Sequence, residues 1–164
     1  MNKRFFVFAA MAMLSVSGAA LARGDHKIDE EMAFGRPGDP KKVTRTVTLE
    51  ATEIAFSTQE LTFKTGETVK FVLVNKGEQN HEITIGDAAM QQTHRKMMAE
   101  MTGVSHAEMD AKMPEHKMHG NSVDSEPGEA KTLVWQFTKP GVFEFACNYP
   151  GHAEVGMEGK ITVR

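Results

Sequence analysis

Cysteine is nearly absent from this chain of 164 residues: Cys147 is the only one, so no intrachain disulfide can form. An excess of positive charge is absent too, because 19 Lys and Arg stand against 22 Asp and Glu, a net charge of −3. This acidic balance argues against nucleic acid as a partner. Long apolar runs are missing after residue 22. We therefore expect no membrane span in the mature chain.

The first 22 residues have the composition of a secretory signal peptide. Lys3 and Arg4 form a positive start, an apolar stretch follows, and Ala20-Leu21-Ala22 fits a small-residue cleavage site. We expect cleavage near Ala22 and export to the periplasm, and the net charge falls from −3 to −5 when the two cations are removed. In an oxidising compartment, a single thiol is either free to react and pair with another chain or protected as a metal ligand.

The rest of the sequence divides into an arm, a domain and an insertion. Residues 23–42 are charged, bear Gly and Pro and contain few apolar side chains, which predicts a flexible N-terminal arm. Residues 43–164 form the predicted domain. Within it, residues 86–129 differ so sharply in composition that we interpret them as an insertion.

Alternation of apolar and polar residues dominates the domain outside the insertion. Residues 43–49 alternate with a period of two, as a half-buried strand does. Similar segments, separated by turn sequences such as Lys139-Pro140-Gly141, predict the other strands. These segments are 53–56, 60–64, 68–74, 81–85, 131–137, 142–147 and 159–164. So many short strands predict an all-β fold, a β-sandwich.

The segment 147–157 brings sulfur and nitrogen donors together between two of these strands. It contains Cys147, His152 and Met157 in one short loop. A trigonal site of two His and one Cys with a weak axial Met is the ligand set of a type 1 copper centre. His81, at the start of a predicted strand, is the candidate for the second histidine. Thiolate and thioether sulfur favour Cu(I) and imidazole nitrogen suits Cu(II), so this set serves both oxidation states.

Chemistries other than copper binding account for less of this pattern. A lone cysteine is usually a small buried hydrophobe. Zinc accepts Cys and His, but an axial thioether suits copper better. A binuclear copper centre would need a second bridging cysteine. A papain-like nucleophile would need a helix-borne cysteine with a partner Asn or Asp. We therefore interpret the loop as part of a site for one copper ion.

The insertion, residues 86–129, lacks Leu, Ile, Phe, Tyr and Trp but holds seven Met and four His. Asp87 is a candidate N-cap for one helix, and residues 105–108 form a capping box for a second. One interpretation is an amphipathic helical cover in which Met fills the core. The other is binding of additional Cu(I), because thioethers and imidazoles are soft-metal donors. The candidate donors are Met90, His94, Met97, Met98, Met101, His106, Met109, Met113, His116, Met118 and His119.

The ligand loop resembles that of the cupredoxin family. Four residues separate Cys147 from His152, and four more separate His152 from Met157. The turn and strand at 65–71 and the closing segment 157–163 also resemble the family. The resemblance covers residues 43–164 apart from the insertion.

This resemblance implies a Greek-key sandwich in which His81, Cys147 and His152 are equatorial copper ligands and Met157 is axial. It also implies that His152 lies near the surface and passes electrons to and from the copper, as the equivalent histidine often does in the family. Glu82 stands where many members have Asn or Ser, whose side chain ties the two ligand loops together.

Three functions are compatible with these residues. The first is copper tolerance, through copper binding, buffering and one-electron redox, because exported cupredoxins with a Met/His-rich segment resemble the copper-tolerance branch of the family. The second is electron transfer to a redox protein partner, a periplasmic reductase or oxidase. The third is a cuprous oxidase, which ranks last because a one-electron site cannot by itself reduce oxygen to water. The sequence favours a binding protein over an enzyme.

Overall fold

The structure is a computed structural model that describes residues 32–100 and 120–164. This part of the chain contains nine strands and one α-helix. The strands are β1 (Arg36–Pro37), β2 (Arg45–Ala51), β3 (Glu60–Phe63), β4 (Thr68–Asn75), β5 (His81–Gly86), β6 (Ser122–Ser125), β7 (Ala130–Gln136), β8 (Gly141–Ala146) and β9 (Glu158–Val163). The helix α1 is Ala88–Glu100. No helix in these described ranges is long and apolar enough to cross a membrane.

The strands form two sheets. One has the order β1-β7-β4-β2 and the other the order β3-β9-β8-β5-β6. The β2–β4 and β3–β9 pairs are parallel, and the remaining neighbours are antiparallel. The predicted all-β sandwich with a short helical insertion is confirmed.

Inward-facing side chains of the two sheets make one core. In β2 the alternation predicted from sequence is realised, with Val47, Leu49 and Ala51 buried and the residues between them exposed. Phe63 and Phe137 stack with ring centroids 4.8 Å apart. Burying one side chain of this size contributes roughly 1.5–3 kcal/mol, so the sheets form a rigid support for the loops at their ends.

The chain before β2 packs against the sandwich in the described part of the predicted arm. Phe34 is buried and stacks on Trp135, with ring centroids 5.7 Å apart. The indole N–H of Trp135 donates to the Phe34 carbonyl at 3.0 Å, and β1 pairs with β7. The flexible arm predicted at 23–42 therefore differs from the structure from Met32 onward. Residues 23–31 lie outside the described residues, as does the predicted signal peptide.

The predicted insertion contains both a helix and a strand. The Asp87 carboxylate accepts a hydrogen bond from the Met90 N–H at 2.8 Å, which confirms the predicted cap of α1. β6 lies inside the same segment and pairs with β5, although no strand was predicted there. The strand predicted at 53–56 is wrong: only an isolated bridge between Ala51 and Phe56 forms. The second predicted helix lies outside the described residues.

Candidate metal centre

Two neighbouring strands bring distant parts of the chain to one end of the second sheet. β5 and β8 are antiparallel, with Thr84 opposite Ala146. Because of this register, the first residue of β5, His81, lies at the same end as Cys147, which directly follows β8. The loop 147–157 then returns the chain to β9. The expectation that His81 meets the cysteine loop therefore rests on ordinary antiparallel pairing.

Three nitrogen and sulfur donors converge at this end. The Cys147 Sγ lies 3.8 Å from His81 Nδ1 and 3.3 Å from His152 Nδ1. All three atoms lie within 4.8 Å of one another, and all three side chains are buried. Within residues 32–100 and 120–164, no other group of three or more His, Cys, Asp and Glu side chains meets the same criterion.

Burial keeps these donors uncharged before any cation binds. It raises the pKa of the Cys147 thiol to about 12, and the nearby negative charge of Glu82 adds to this effect. Burial also lowers the pKa of His81, helped by His152 and opposed by Glu53 and the Thr52 carbonyl. The pKa of His152 is likewise lowered by burial. Neutral imidazoles keep a lone pair for a metal, and a coordinating thiol loses its proton to the cation's field.

Met157 closes the loop. Its side chain is fully buried. Its N–H donates to the His152 carbonyl at 3.0 Å, and its carbonyl accepts from the Cys147 N–H at 3.0 Å. Gly156, just before it, has a φ of 100°, a left-handed conformation that favours glycine. These bonds fix the backbone of the candidate axial ligand relative to both other ligands of the loop.

The Glu82 carboxylate ties the two ligand segments together. The Cys147 Sγ accepts a hydrogen bond from the Glu82 N–H at 3.5 Å. The Glu82 Oε1 accepts one from the Asn148 N–H at 2.8 Å. Glu82 and Asn148 are both buried, and each directly follows a candidate ligand. A glutamate thus makes the link that we associated with Asn or Ser in the resembling family.

A buried asparagine shapes the turn before His81. The Asn75 amide donates to the carbonyls of Gln79 and Ser125 at 2.7 and 2.9 Å, and its oxygen accepts from the Gly77 N–H at 2.9 Å. A Cβ on Gly77 would lie 3.2 Å from His81 Nε2. Glycine therefore allows the turn to approach the imidazole closely.

His152 lies at the outer side of the site but is largely covered. The residue is 7% exposed, and its Nε2 lies 3.4 Å from the Oε1 of exposed Gln79. The next ring outward is Tyr149, with a centroid 6.0 Å from that of His152. The Tyr149 hydroxyl donates to Asp124 at 3.4 Å. An outer nitrogen held by an amide oxygen fixes the orientation of a metal-ligating imidazole.

The structure describes four candidate donors of the insertion, all on α1. Met98 and His94 are buried, and His94 Nε2 lies 3.2 Å from a Glu82 carboxylate oxygen. Met90 packs against the hydrophobic core, and Met97 is partly buried. The remaining candidates lie outside the described residues: Met101, His106, Met109, Met113, His116, Met118 and His119.

Sequence reasoning missed the polar residues around the candidate ligands. Gln79, Asn75 and Asn148 carry no motif of their own. The signal that could have found Asn148 is its position directly after Cys147, the same kind of position that singled out Glu82 after His81.

The chemistry of these donors fits copper. Two imidazoles and one thiol, all buried together with a buried methionine, match the borderline-soft character of the copper couple. Hard cations would require oxygen donors instead. Fold and site together define a cupredoxin, a β-sandwich protein with a type 1 copper centre.

Comparison with known proteins gives the family. Residues 43–164 match the family described as copper binding proteins, plastocyanin/azurin family. The chain belongs to this family. Two relatives carry the name copper-resistant cuproprotein CopI. One, from Rubrivivax gelatinosus, is 39% identical over 142 residues, covering 86% of this chain and 79% of the relative. The other, from Pseudomonas aeruginosa, is 40% identical over 151 residues, covering 80% and 83%.

Solved structures support the fold. Auracyanin B superposes with a TM-score of 0.54 at 18% identity, covering 82% of this chain and 96% of its own. An azurin from Methylomonas sp. strain J gives a TM-score of 0.57 at 18% identity, covering 74% and 99%.

Proposed function

We propose that this protein acts in copper tolerance in the periplasm and holds one copper ion at a type 1 site formed by His81, Cys147, His152 and Met157. The observation that carries the proposal is the convergence of three buried donor atoms within 4.8 Å. Copper bound there would supply one-electron chemistry between its +1 and +2 states.

The ligand residues have separate roles in this proposal. Cys147 supplies the thiolate, and the Glu82 N–H that points at its sulfur stabilises the negative charge. His81 and His152 supply neutral imidazole nitrogens. Met157 would offer a weak thioether donor, and its buried side chain would help to exclude water. Because these groups are fixed by strands and by loop hydrogen bonds, their positions change little with the charge of the site, which favours rapid electron exchange.

Two further observations favour copper tolerance in an exported protein. Relatives at 39% and 40% identity are named for copper resistance. The first 22 residues have a signal-peptide composition. A copper protein outside the cytoplasm can bind or oxidise the metal where it first enters the cell.

Growth under copper stress tests the proposed role. A strain that lacks the gene should grow poorly in added copper and normally on respiratory substrates. Wild-type protein and the exposed-site control Val142→Ala should restore copper growth, whereas Cys147→Ser should not. Equal growth of the deletion and parent strains in copper would contradict the proposal.

We also propose that the Met/His-rich insertion binds additional Cu(I). The residues to test are those of 101–119 together with Met97, since His94 already contacts Glu82 and Met98 is buried. Cu(I) titration of the wild-type protein should show more than one equivalent per chain. Replacing Met101, Met109, Met113 and Met118 by Leu should lower this number toward one. An unchanged stoichiometry would discard additional binding at these thioethers.

Electron transfer to a partner protein is a second candidate function. Val155, three residues after His152, is 65% exposed on the ligand loop. A single exposed apolar side chain is common on protein surfaces, and its position on the ligand loop is the feature that favours docking of a redox partner here. If this function dominates, the deletion strain should show a respiratory defect and no copper sensitivity.

A further inference from the structure

The helix α1 lies directly against the residues that follow two candidate ligands. Its face toward the sandwich carries buried polar side chains beside Met90 and Met98: Gln91 is fully buried, His94 is 1% exposed and Arg95 is partly buried. A buried helix face is normally apolar, because burying a polar group without a hydrogen-bonding partner is costly. These side chains must therefore be paired, and their hydrogen-bonding partners show what the face does.

His94 contacts the residue that follows His81. Its Nε2 lies 3.2 Å from Glu82 Oε1 and 3.3 Å from Glu82 Oε2. The same Oε1 accepts the hydrogen bond from the Asn148 N–H. One carboxylate thus joins α1, the start of β5 and the residue after Cys147.

Gln91 and Arg95 contact the Asn148 side chain from both sides. The Gln91 Oε1 accepts from the Asn148 Nδ2 at 3.0 Å, and the Gln91 Nε2 donates to the Thr84 carbonyl at 2.8 Å. The Arg95 Nε donates to the Asn148 Oδ1 at 3.1 Å, and the Arg95 Nη2 forms an ion pair with the Glu158 carboxylate at 2.7 Å. Both the Nδ2 and the Oδ1 of the Asn148 side-chain amide therefore bond to residues of α1.

We propose that Gln91, His94 and Arg95 are positioning residues of the copper centre. They hold Glu82 and Asn148, and through them the backbone of His81 and Cys147, so that α1 sets the geometry of the thiolate and the reduction potential. The inference rests on the proposed function. Side chains with only a packing role would not need to converge on the two residues that directly follow ligands.

The mechanism is electrostatic as well as geometric. The buried Glu82 carboxylate accepts from the Asn148 N–H, directly after Cys147, so its charge lies close to the sulfur. His94 and Arg95 determine where that carboxylate and the Asn148 amide lie. Hydrogen bonds around a metal-ligating sulfur tune the potential of copper sites. Loosening α1 should therefore move the potential without removing a ligand.

Two variants and two matched controls test the inference. His94→Leu removes the contact with Glu82, and His94→Gln keeps a donor there. Arg95→Ala removes the contact with Asn148, and Lys96→Ala removes a neighbouring charge on the exposed side of α1. Arg95 has a partly exposed side chain, so its variant keeps the test usable if His94→Leu does not fold.

The first measurement uses metal-free protein. Hydrogen exchange of the Asn148 backbone N–H should be at least about tenfold faster in His94→Leu than in wild type. The exchange rates of backbone N–H groups in β4 should stay unchanged. The His94→Gln and Lys96→Ala variants should exchange as wild type does. If the Asn148 backbone N–H of His94→Leu exchanges at the wild-type rate, α1 does not hold this residue and the inference is overturned. Arg95→Ala serves for the same comparison if His94→Leu does not fold.

The second measurement uses copper-loaded protein. Arg95→Ala and His94→Leu should change the copper hyperfine splitting and shift the preference between Cu(II) and Cu(I) by about tenfold, equivalent to about 59 mV for one electron. Potentials and spectra identical to wild type would overturn the positioning role. If wild-type protein itself gives no type 1 spectrum, the proposed function fails. The hydrogen-exchange measurement still tests whether α1 holds Glu82 and Asn148 in place.

Discussion

Glu82 is the residue whose charge acts most directly on the candidate centre without being a ligand. It is fully buried, its N–H points at the Cys147 sulfur, and its carboxylate accepts from the Asn148 N–H. A negative charge in a dry site stabilises the more positive oxidation state of a bound metal. The carboxylate should therefore hold the reduction potential below the value that the ligands alone would give.

Replacing Glu82 by Gln tests this electrostatic effect. The amide keeps the shape and the acceptor for Asn148 but removes the charge. We expect the potential to rise by at least about 40 mV, since at an effective dielectric constant of about 20 a unit charge is worth roughly 1 kcal/mol even at ~16 Å and more at shorter distances. Voltammetry measures it. Glu78→Gln, exposed in the preceding turn, is the control, and an unchanged potential in Glu82→Gln would contradict the account.

Met157 is the proposed axial ligand, and its replacement should separate binding from tuning. In Met157→Leu the thiolate and imidazoles remain, so the strong visible absorption should persist. The potential should rise, because an apolar side chain replaces the fourth donor, and Cu(I) tolerates three-coordination better than Cu(II) does. Met98→Leu, the same change at another buried methionine, should leave the potential unaltered. Equal potentials in Met157→Leu and wild type would remove Met157 from the ligand set.

At the scale of elements, periodicity predicted most strands well, including the short β3, but it missed β1 and β6. Strands such as β2 and β4 have enough alternating residues to be recognised. β6 is polar and β1 has two residues, so their pairing depends on distant partners. Residues 53–56 look strand-like locally but have no partner strand in the described structure. Local patterns cannot reveal such long-range pairing.

The segment around β1 belongs to the folded unit, and a core substitution tests this. Phe34→Ala removes a buried ring that stacks on Trp135. We expect a loss of about 3 kcal/mol in the free energy of unfolding, measured by chemical denaturation of wild-type and variant protein. Val142→Ala, at a 64% exposed site, should change it by less than about 0.5 kcal/mol. If Phe34→Ala is as stable as wild type, the segment is dispensable.

The parts of the candidate site that lie close together in sequence could be predicted. The contacts between residues far apart in sequence could not. Three of its candidate ligands share one loop, so spacing alone pointed to them, and His81 was proposed because it begins a predicted strand. The contacts of Asn148 with Gln91 and Arg95 join residues 57 and 53 positions apart. No sequence pattern encodes such contacts, because they depend on how α1 packs against the sheet.

For the whole molecule, the site couples metal binding to stability. The folded chain assembles donors that the unfolded chain separates, so a ligand of the folded state stabilises it. At a free copper concentration of 100 times the dissociation constant, the gain is about 2.7 kcal/mol. This should raise the melting temperature by roughly 5–11 °C for a domain of this size. Calorimetry with and without Cu(I) measures the shift, and Cys147→Ser should show much less of it.

The visible spectrum of the Cu(II)-loaded protein tests the central claim most directly. If Cys147, His81 and His152 hold one copper ion, the oxidised protein should show intense thiolate-to-copper charge transfer, and Cys147→Ser should lose it. A loaded wild-type protein that is nearly colourless, or an intense band that survives in Cys147→Ser, would contradict the account.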